Sequence, residues 1–222
     1  MTSQRFRIFH IESPGPLDAL DGRAEAPTLA AIAPLLGHKL TSKVVHSRDE
    51  LAQVCKYLST IGNYEDKSQS APVMLHLSAH GASDGDGILL GADFVTWREL
   101  LALLQPFIRI RETYNGHHII VLSSCYAHKQ TMTKMLARKH GEAINGAMPP
   151  EYIFCTKEIL WKDAAIAWTL FYHLLSDASF TKRKSVQRVL NKIATIGISL
   201  YYFRWNEKCH KYHRFQGTSL RK

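Results

Sequence analysis

Pro72-Val73-Met74-Leu75-His76-Leu77-Ser78-Ala79 is a nearly unbroken apolar run that stops at His80-Gly81, and His117-His118-Ile119-Ile120-Val121-Leu122-Ser123 is a second that stops at Ser124-Cys125. Runs of this length without strict alternation read as strands buried on both faces, the habit of parallel sheets. Between them, Asp84-Gly85-Asp86-Gly87 signals a turn and Ile88-Leu89-Leu90 a short extended piece. Thr96 then caps a helix that carries Trp97, Leu100, Leu101, Leu104 and Phe107, with the leucine stripe facing the core. The whole stretch predicts a strand, loop, helix and strand crossover.

The same reading extends outward. Arg5 to Glu12 alternates apolar and polar residues and meets Ser13-Pro14-Gly15-Pro16, so it predicts the strand that opens the sheet. Pro27 to Leu36 reads as a helix that Pro34 keeps short, and Lys39 to His46 as a second strand. Ser47-Arg48-Asp49-Glu50 has the spacing of a capping box, and Leu51, Val54, Cys55 and Leu58 follow at helical intervals until Asn63 to Ser70 end the helix. Downstream, His128 to His140 predicts a helix capped by Gly141, Glu151 to Thr156 a strand, Asp163 to Leu175 and Ser185 to Ile196 two helices, and Leu200 to Arg204 a last strand. Strands alternating with helices predict an α/β sandwich with a mainly parallel sheet covered on both faces. With no internal repeat and no low-complexity linker, residues 1–222 read as one domain ending in a basic C-terminal segment, residues 205–222.

An apolar content of 45% beside 21% charged residues is that of a soluble globular chain. Lys and Arg outnumber Asp and Glu by 28 to 19, and the excess concentrates at Lys182 to Lys184 and Lys208 to Lys222, which favours an acidic partner or surface. Cys55, Cys125, Cys155 and Cys209 lie far apart without a CxxC pair, which argues against a disulfide scaffold and for a reducing compartment. The first residues lack the apolar stretch of a secretory leader, and no window approaches the ~18 apolar residues of a membrane span. A cytoplasmic protein without a membrane segment is expected.

In open parallel sheets, ligands gather outside the carboxyl ends of the strands, where this chain places His80 and Cys125. A thiol becomes a nucleophile when a base takes its proton, and an imidazole can do so and later protonate a leaving amine. Cys125 is expected just before a helix whose N-terminal amides favour the thiolate. Gly81, lacking a side chain, lets its amide approach a substrate and, with the amide of Cys125, form an oxyanion hole. The plainer reading makes a strand-end cysteine a small buried residue, and Cys55 and Cys155, inside predicted elements, read that way. His76 and His80 share one strand face and suggest metal ligands with Cys125 as a lesser reading, while Cys209, His210 and His213 lack the second ligand pair of a metal cluster.

Residue by residue, the chain resembles the caspase-like cysteine peptidases, specifically the CHAT group. The resemblance rests on Leu75 to Gly81 with Gly87 to Gly91, on Ile120 to Cys125, and on Trp161-Lys162-Asp163-Ala164-Ala165 running to Phe171-Tyr172-His173-Leu174-Leu175. It covers roughly residues 70 to 195 and is moderately specific as three motifs in order. It implies a three-layer sandwich with a six-stranded sheet and peptide hydrolysis through an acyl-enzyme, with Cys125 and His80 catalytic and no metal or organic cofactor needed. It also implies a cleft flanked by Ser124, Tyr126, Trp161 and Asp163, with Asp84 and Asp86 in the loop after His80.

The group often has Gly soon after its cysteine, where this chain has Tyr126-Ala127-His128-Lys129. The repeat domain commonly joined to such peptidases is absent from these residues, so a separate regulatory or sensor protein is expected. The resulting expectation is a bacterial, cytosolic endopeptidase that cleaves a protein partner in cell death or antiviral defence. The alternatives are a catalytically silent module of the same fold and, more remotely, a basic nucleic-acid binder.

Overall fold

The computed structural model describes residues 5–60, 71–112, 114, 116–129, 131–137, 147–179 and 181–219. The two apolar runs pair as expected. β3 (Val73–Gly81) and β6 (His118–Ser123) lie parallel, with Val73 opposite His118 and Ser78 opposite Ser123. β1 (Arg7–Ser13) runs parallel to β3 on its other side, β2 (Lys39–Val44) flanks β1, and β7 (Tyr152–Thr156) flanks β6. All these strands present their carboxyl ends to one rim.

Burial on both faces explains the mainly apolar run of β3. Val73, Leu75, Leu77 and Ala79 enter one core with α3 (Arg48–Ser59), α4 (Trp97–Ile108) and α5 (Thr131–Ala137). Met74 enters the other, with α2 (Ala26–Leu35), α6 (Trp161–Ser176) and α7 (Arg183–Ala194). The fold is the expected three-layer α/β sandwich. The caps form too: Ser47 accepts from the Glu50 amide at 3.2 Å, and Thr96 and Glu99 close a full capping box at the start of α4. Each such cap stabilises its helix by about 1 kcal/mol.

The sheet is larger than the six strands expected. Its main path runs β2-β1-β3-β6-β7-β8-β9, with the hairpin β4 (Gly87–Leu90) and β5 (Asp93–Thr96) branching from the end of β3, nine strands among the described residues. β8 (Leu200–Asn206) is antiparallel to β7, and β9 (Lys211–Gln216) to β8. The basic segment from residue 205 therefore contains the end of β8 and all of β9. Arg214 lies 4.4 Å over the Tyr201 ring and Phe215 stacks on Tyr202 at 5.5 Å, so the strand is held by aromatic contacts while its charges face solvent.

A short helix, α1 (Pro16–Leu20), follows β1 where only a loop was expected. The expected helix end at Asn63 to Ser70 and the Gly141 cap lie outside the described residues. No described helix is long and apolar enough to cross a membrane.

Candidate active site

At the carboxyl rim of the sheet a cleft of about 830 Å³ is bordered by Asp18, His80, Ser124, Cys125, Trp161 and Asp163. It lies where β3 and β6 end and α6 begins. Gly81 abuts the second residue after β6 so closely that a Cβ there would sit 2.0 Å from the Cys125 carbonyl oxygen. Only glycine permits this approach. The Ala82 amide donates to the Gly87 carbonyl at 3.0 Å, and antiparallel alternation therefore turns the Gly81 amide away from β4.

Cys125 is half-buried, with Sγ 3.8 Å from the Ile159 carbonyl oxygen. Its neighbours are fixed from both sides. The Ser124 amide donates to Thr156 Oγ1 at 3.2 Å, and that hydroxyl donates back to the Ser124 carbonyl at 2.9 Å. The Tyr126 amide donates to the Lys157 carbonyl at 2.9 Å while Tyr126 itself adopts φ of 62°. This left-handed backbone favours glycine, the residue that the resemblance leads one to expect after the cysteine. Lys129 Nζ lies 5.0 Å from the centroid of the Tyr126 ring. One expectation is corrected here: among the described residues α5 begins at Thr131, more than a turn beyond Cys125. A helix dipole acts within its first turn, so it does not bear on this thiol.

His80 leaves β3 with its side chain 42% exposed and its Nε2 hydrogen-bonded to Asp18 Oδ2. The Trp161 ring meets the imidazole edge-on at 5.6 Å and 88°. Asp18, on α1, is buried, and Arg23 Nη1 stands 3.6 Å from its Oδ1. Burial pushes the Asp18 carboxyl up, but the His80 bond and charge, a Trp161 bond and the Gly15 amide bring it below its ordinary value of 3.8. With Asp18 accepting from Nε2–H, the network assigns the basic lone pair to Nδ1.

Asp18 escaped the sequence reading. The signal available was topological: the strand before it lies beside β3, so an acid just after β1 stands next to whatever ends β3.

Beneath the cleft, the buried Glu25 joins the two strands that carry the site. Its Oε1 accepts from Ser78 Oγ at 2.8 Å and from Ser123 Oγ at 2.5 Å, each serine two positions before His80 or Cys125. Burial pushes the Glu25 carboxyl up to about 7, against the Ser123 bond, the nearby His10 and the Ser78 bond. Glu12 accepts from the Glu25 amide at 2.5 Å and the Ala26 amide at 3.3 Å, anchoring the start of α2.

Of the residues expected around the pocket, Ser124, Trp161 and Asp163 border the cleft, the last two from the first turn of α6. Tyr126, Asp84 and Asp86 do not border it. Asp84 Oδ1 accepts from the Asp86 amide at 2.9 Å, and the Trp97 indole donates to the Gly85 carbonyl at 2.8 Å, so this loop is a structured turn that seats α4. Cys55 and Cys155 are buried packing residues, and burial pushes the Cys55 thiol up to about 12.

The sequence matches no family model and no curated protein. Among solved structures the chain is similar to caspase-1 from Spodoptera frugiperda, at a TM-score of 0.53 and 10% identity, over 99% of this chain and 87% of that one. The fold is therefore caspase-like.

Proposed function

We propose that this chain is a cysteine endopeptidase, related through its motifs to the CHAT group, that cleaves a protein partner by way of an acyl-enzyme. The observation that carries the reading is one cleft shared by a half-buried thiol and a carboxylate-held imidazole, at the ends of adjacent parallel strands. In the proposed chemistry the Cys125 proton passes to His80 as Sγ attacks the scissile carbonyl carbon. The resulting oxyanion is held by the Gly81 and Cys125 amides, each such donor being worth about 3 kcal/mol in the transition state. His80 then protonates the departing amine, and the same imidazole takes a proton from the water that hydrolyses the thioester. Asp18 holds the ring in one tautomer throughout, acting through His80 rather than on substrate.

Ser124, Trp161 and Asp163 meet the substrate, with Tyr126, Asp84 and Asp86 flanking it further out. The setting we assign is bacterial cell-death or antiviral defence, under a separate sensor protein. Incubating the full chain with a peptidyl electrophile tests the chemistry. Mass spectrometry is expected to find one adduct on Cys125, lost in Cys125→Ala while circular dichroism stays unchanged. Equal turnover of peptide substrate by Cys125→Ala would falsify the assignment. An unlabelled thiol, even with a partner present, supports the silent module instead.

A further inference from the structure

The interior below the cleft contains a second group of chemistry-bearing side chains that peptide hydrolysis does not use. His10 on β1 stands opposite His76 on β3 in the parallel register, and Glu25 reaches them from the start of α2. We propose that His10, His76 and Glu25 bind one first-row divalent cation, zinc by ligand class, at a buried site that fixes the floor of the cleft.

Each of these side chains has one polar atom engaged and one left over. His76 Nδ1 lies 2.9 Å from the Tyr172 hydroxyl and His10 Nδ1 lies 3.3 Å from Ser42 Oγ. Glu25 Oε1 is taken by Ser78 and Ser123. The remaining atoms, His10 Nε2, His76 Nε2 and Glu25 Oε2, are all buried without a hydrogen-bond partner among the described residues. His76 Nε2 and Glu25 Oε2 are 3.1 Å apart, yet they are not aligned to bond. One ligand atom from each of the three residues falls within 4.8 Å of the others.

Leaving a buried polar atom unsatisfied costs about 1–3 kcal/mol, so three such atoms on residues gathered this closely favour an occupant. A cation at their centre satisfies all three. Metal-bound histidines use one ring nitrogen and have the other oriented by a hydrogen bond, as both do here. Two imidazoles and a carboxylate form a donor set that suits zinc and leaves a further position for water. Glu25 also borders the cleft, which gives the ion a way in.

The role follows from Glu25. A metal on Oε2 fixes the carboxylate whose Oε1 holds Ser78 and Ser123, and so the strand ends that bear His80 and Cys125. The site is thus one of positioning and is independent of the peptidase reading.

The test uses the full chain, depleted with chelator, dialysed against zinc chloride and analysed for metal. About one zinc per chain is expected, and cobalt chloride in its place is expected to give visible d–d bands without a thiolate charge-transfer band. His10→Gln and His76→Gln should each lower occupancy to about a tenth or less at a zinc concentration that just saturates the native chain. Cys209→Ser should retain the metal, because the exposed Cys209 and His213, 3.8 Å apart, are the competing ligands. Should the histidine variants unfold, Tyr172→Phe and Ser42→Ala, which keep the ligands, are expected to weaken zinc affinity about tenfold. Zinc content near zero in the folded native chain overturns the site. So does undiminished binding in a folded His76→Gln, a thiolate band, or unaltered affinity in the Tyr172→Phe and Ser42→Ala chains.

Discussion

A Cβ on Gly81 would stand 2.0 Å from the carbonyl oxygen of Cys125, so the end of β3 rests directly on the backbone of the proposed nucleophile. That backbone cannot retreat, because Ser124 is clasped from both sides by Thr156. Gly81→Ala is therefore expected to destabilise the fold by about 1–3 kcal/mol and to slow labelling of Cys125 more than tenfold. Denaturant unfolding and the labelling rate measure the two effects. Native values for both would show that the strand end yields freely.

Asp18 gives a pH dependence whose sign is fixed. Its carboxyl is held below its ordinary value of 3.8, so its contribution to stability is full above that value and fades as pH falls through the lower, folded one. Asp18→Asn should be less stable than the native chain at neutral pH, and the difference should narrow on acidification below pH 3.8. Labelling of Cys125 should slow by up to about a hundredfold as the imidazole loses its orientation. Urea unfolding at a series of pH values reads the first effect; a constant gap between the two chains down to the acid end contradicts it.

At position 126 backbone conformation outweighs side-chain size. A left-handed residue other than glycine carries about 1–2 kcal/mol of strain, and a β-branched one fares worse. Tyr126, at φ of 62°, should accept Gly with little loss of stability, whereas Tyr126→Val should lower it by about 1–2 kcal/mol. Thermal unfolding of the pair decides the order, and a Val variant as stable as the Gly variant argues against the left-handed turn.

Glu25→Leu removes the acceptor of two buried hydroxyls at once. Each orphaned donor costs about 1–3 kcal/mol, so the substitution should destabilise by several kcal/mol in metal-free buffer. Adding Ser78→Ala and Ser123→Ala to Glu25→Leu should recover part of that loss, because the unpaired groups go too. A denaturant series over these variants shows the non-additivity; strictly additive losses mean that the three side chains do not act together.

How much of this was legible in the sequence depended on distance along the chain. β3, β6 and the helix between them were readable because strands covered on both faces have no solvent-facing positions to break the run, and Thr96 marks the helix start. His80 and Cys125 stood out as the thiol and the imidazole at those two strand ends. Asp18 did not, since α1 has only 5 residues, too few for a periodic pattern, and its partner is 62 positions away. His10 meets His76 only through the β1 and β3 register, which a parallel sheet sets through packing and not through a turn. β9 reads from the sequence only as part of a basic segment, because Lys211, His213 and Arg214 outnumber its aromatic residues. On an edge strand, that composition is what keeps unpaired backbone from recruiting other chains.

The last strand has an outcome for self-association. β8 is paired on one side with β7 and on the other with β9, from Tyr201 to Asn206, so its backbone groups have none to spare for a neighbour. Two copies joining their sheets at this end would have to bring one β9 against another, setting Lys211 and Arg214 of each against cations of the same sign. Mutual repulsion there disfavours a continuous intermolecular sheet and leaves that margin open to an acidic strand.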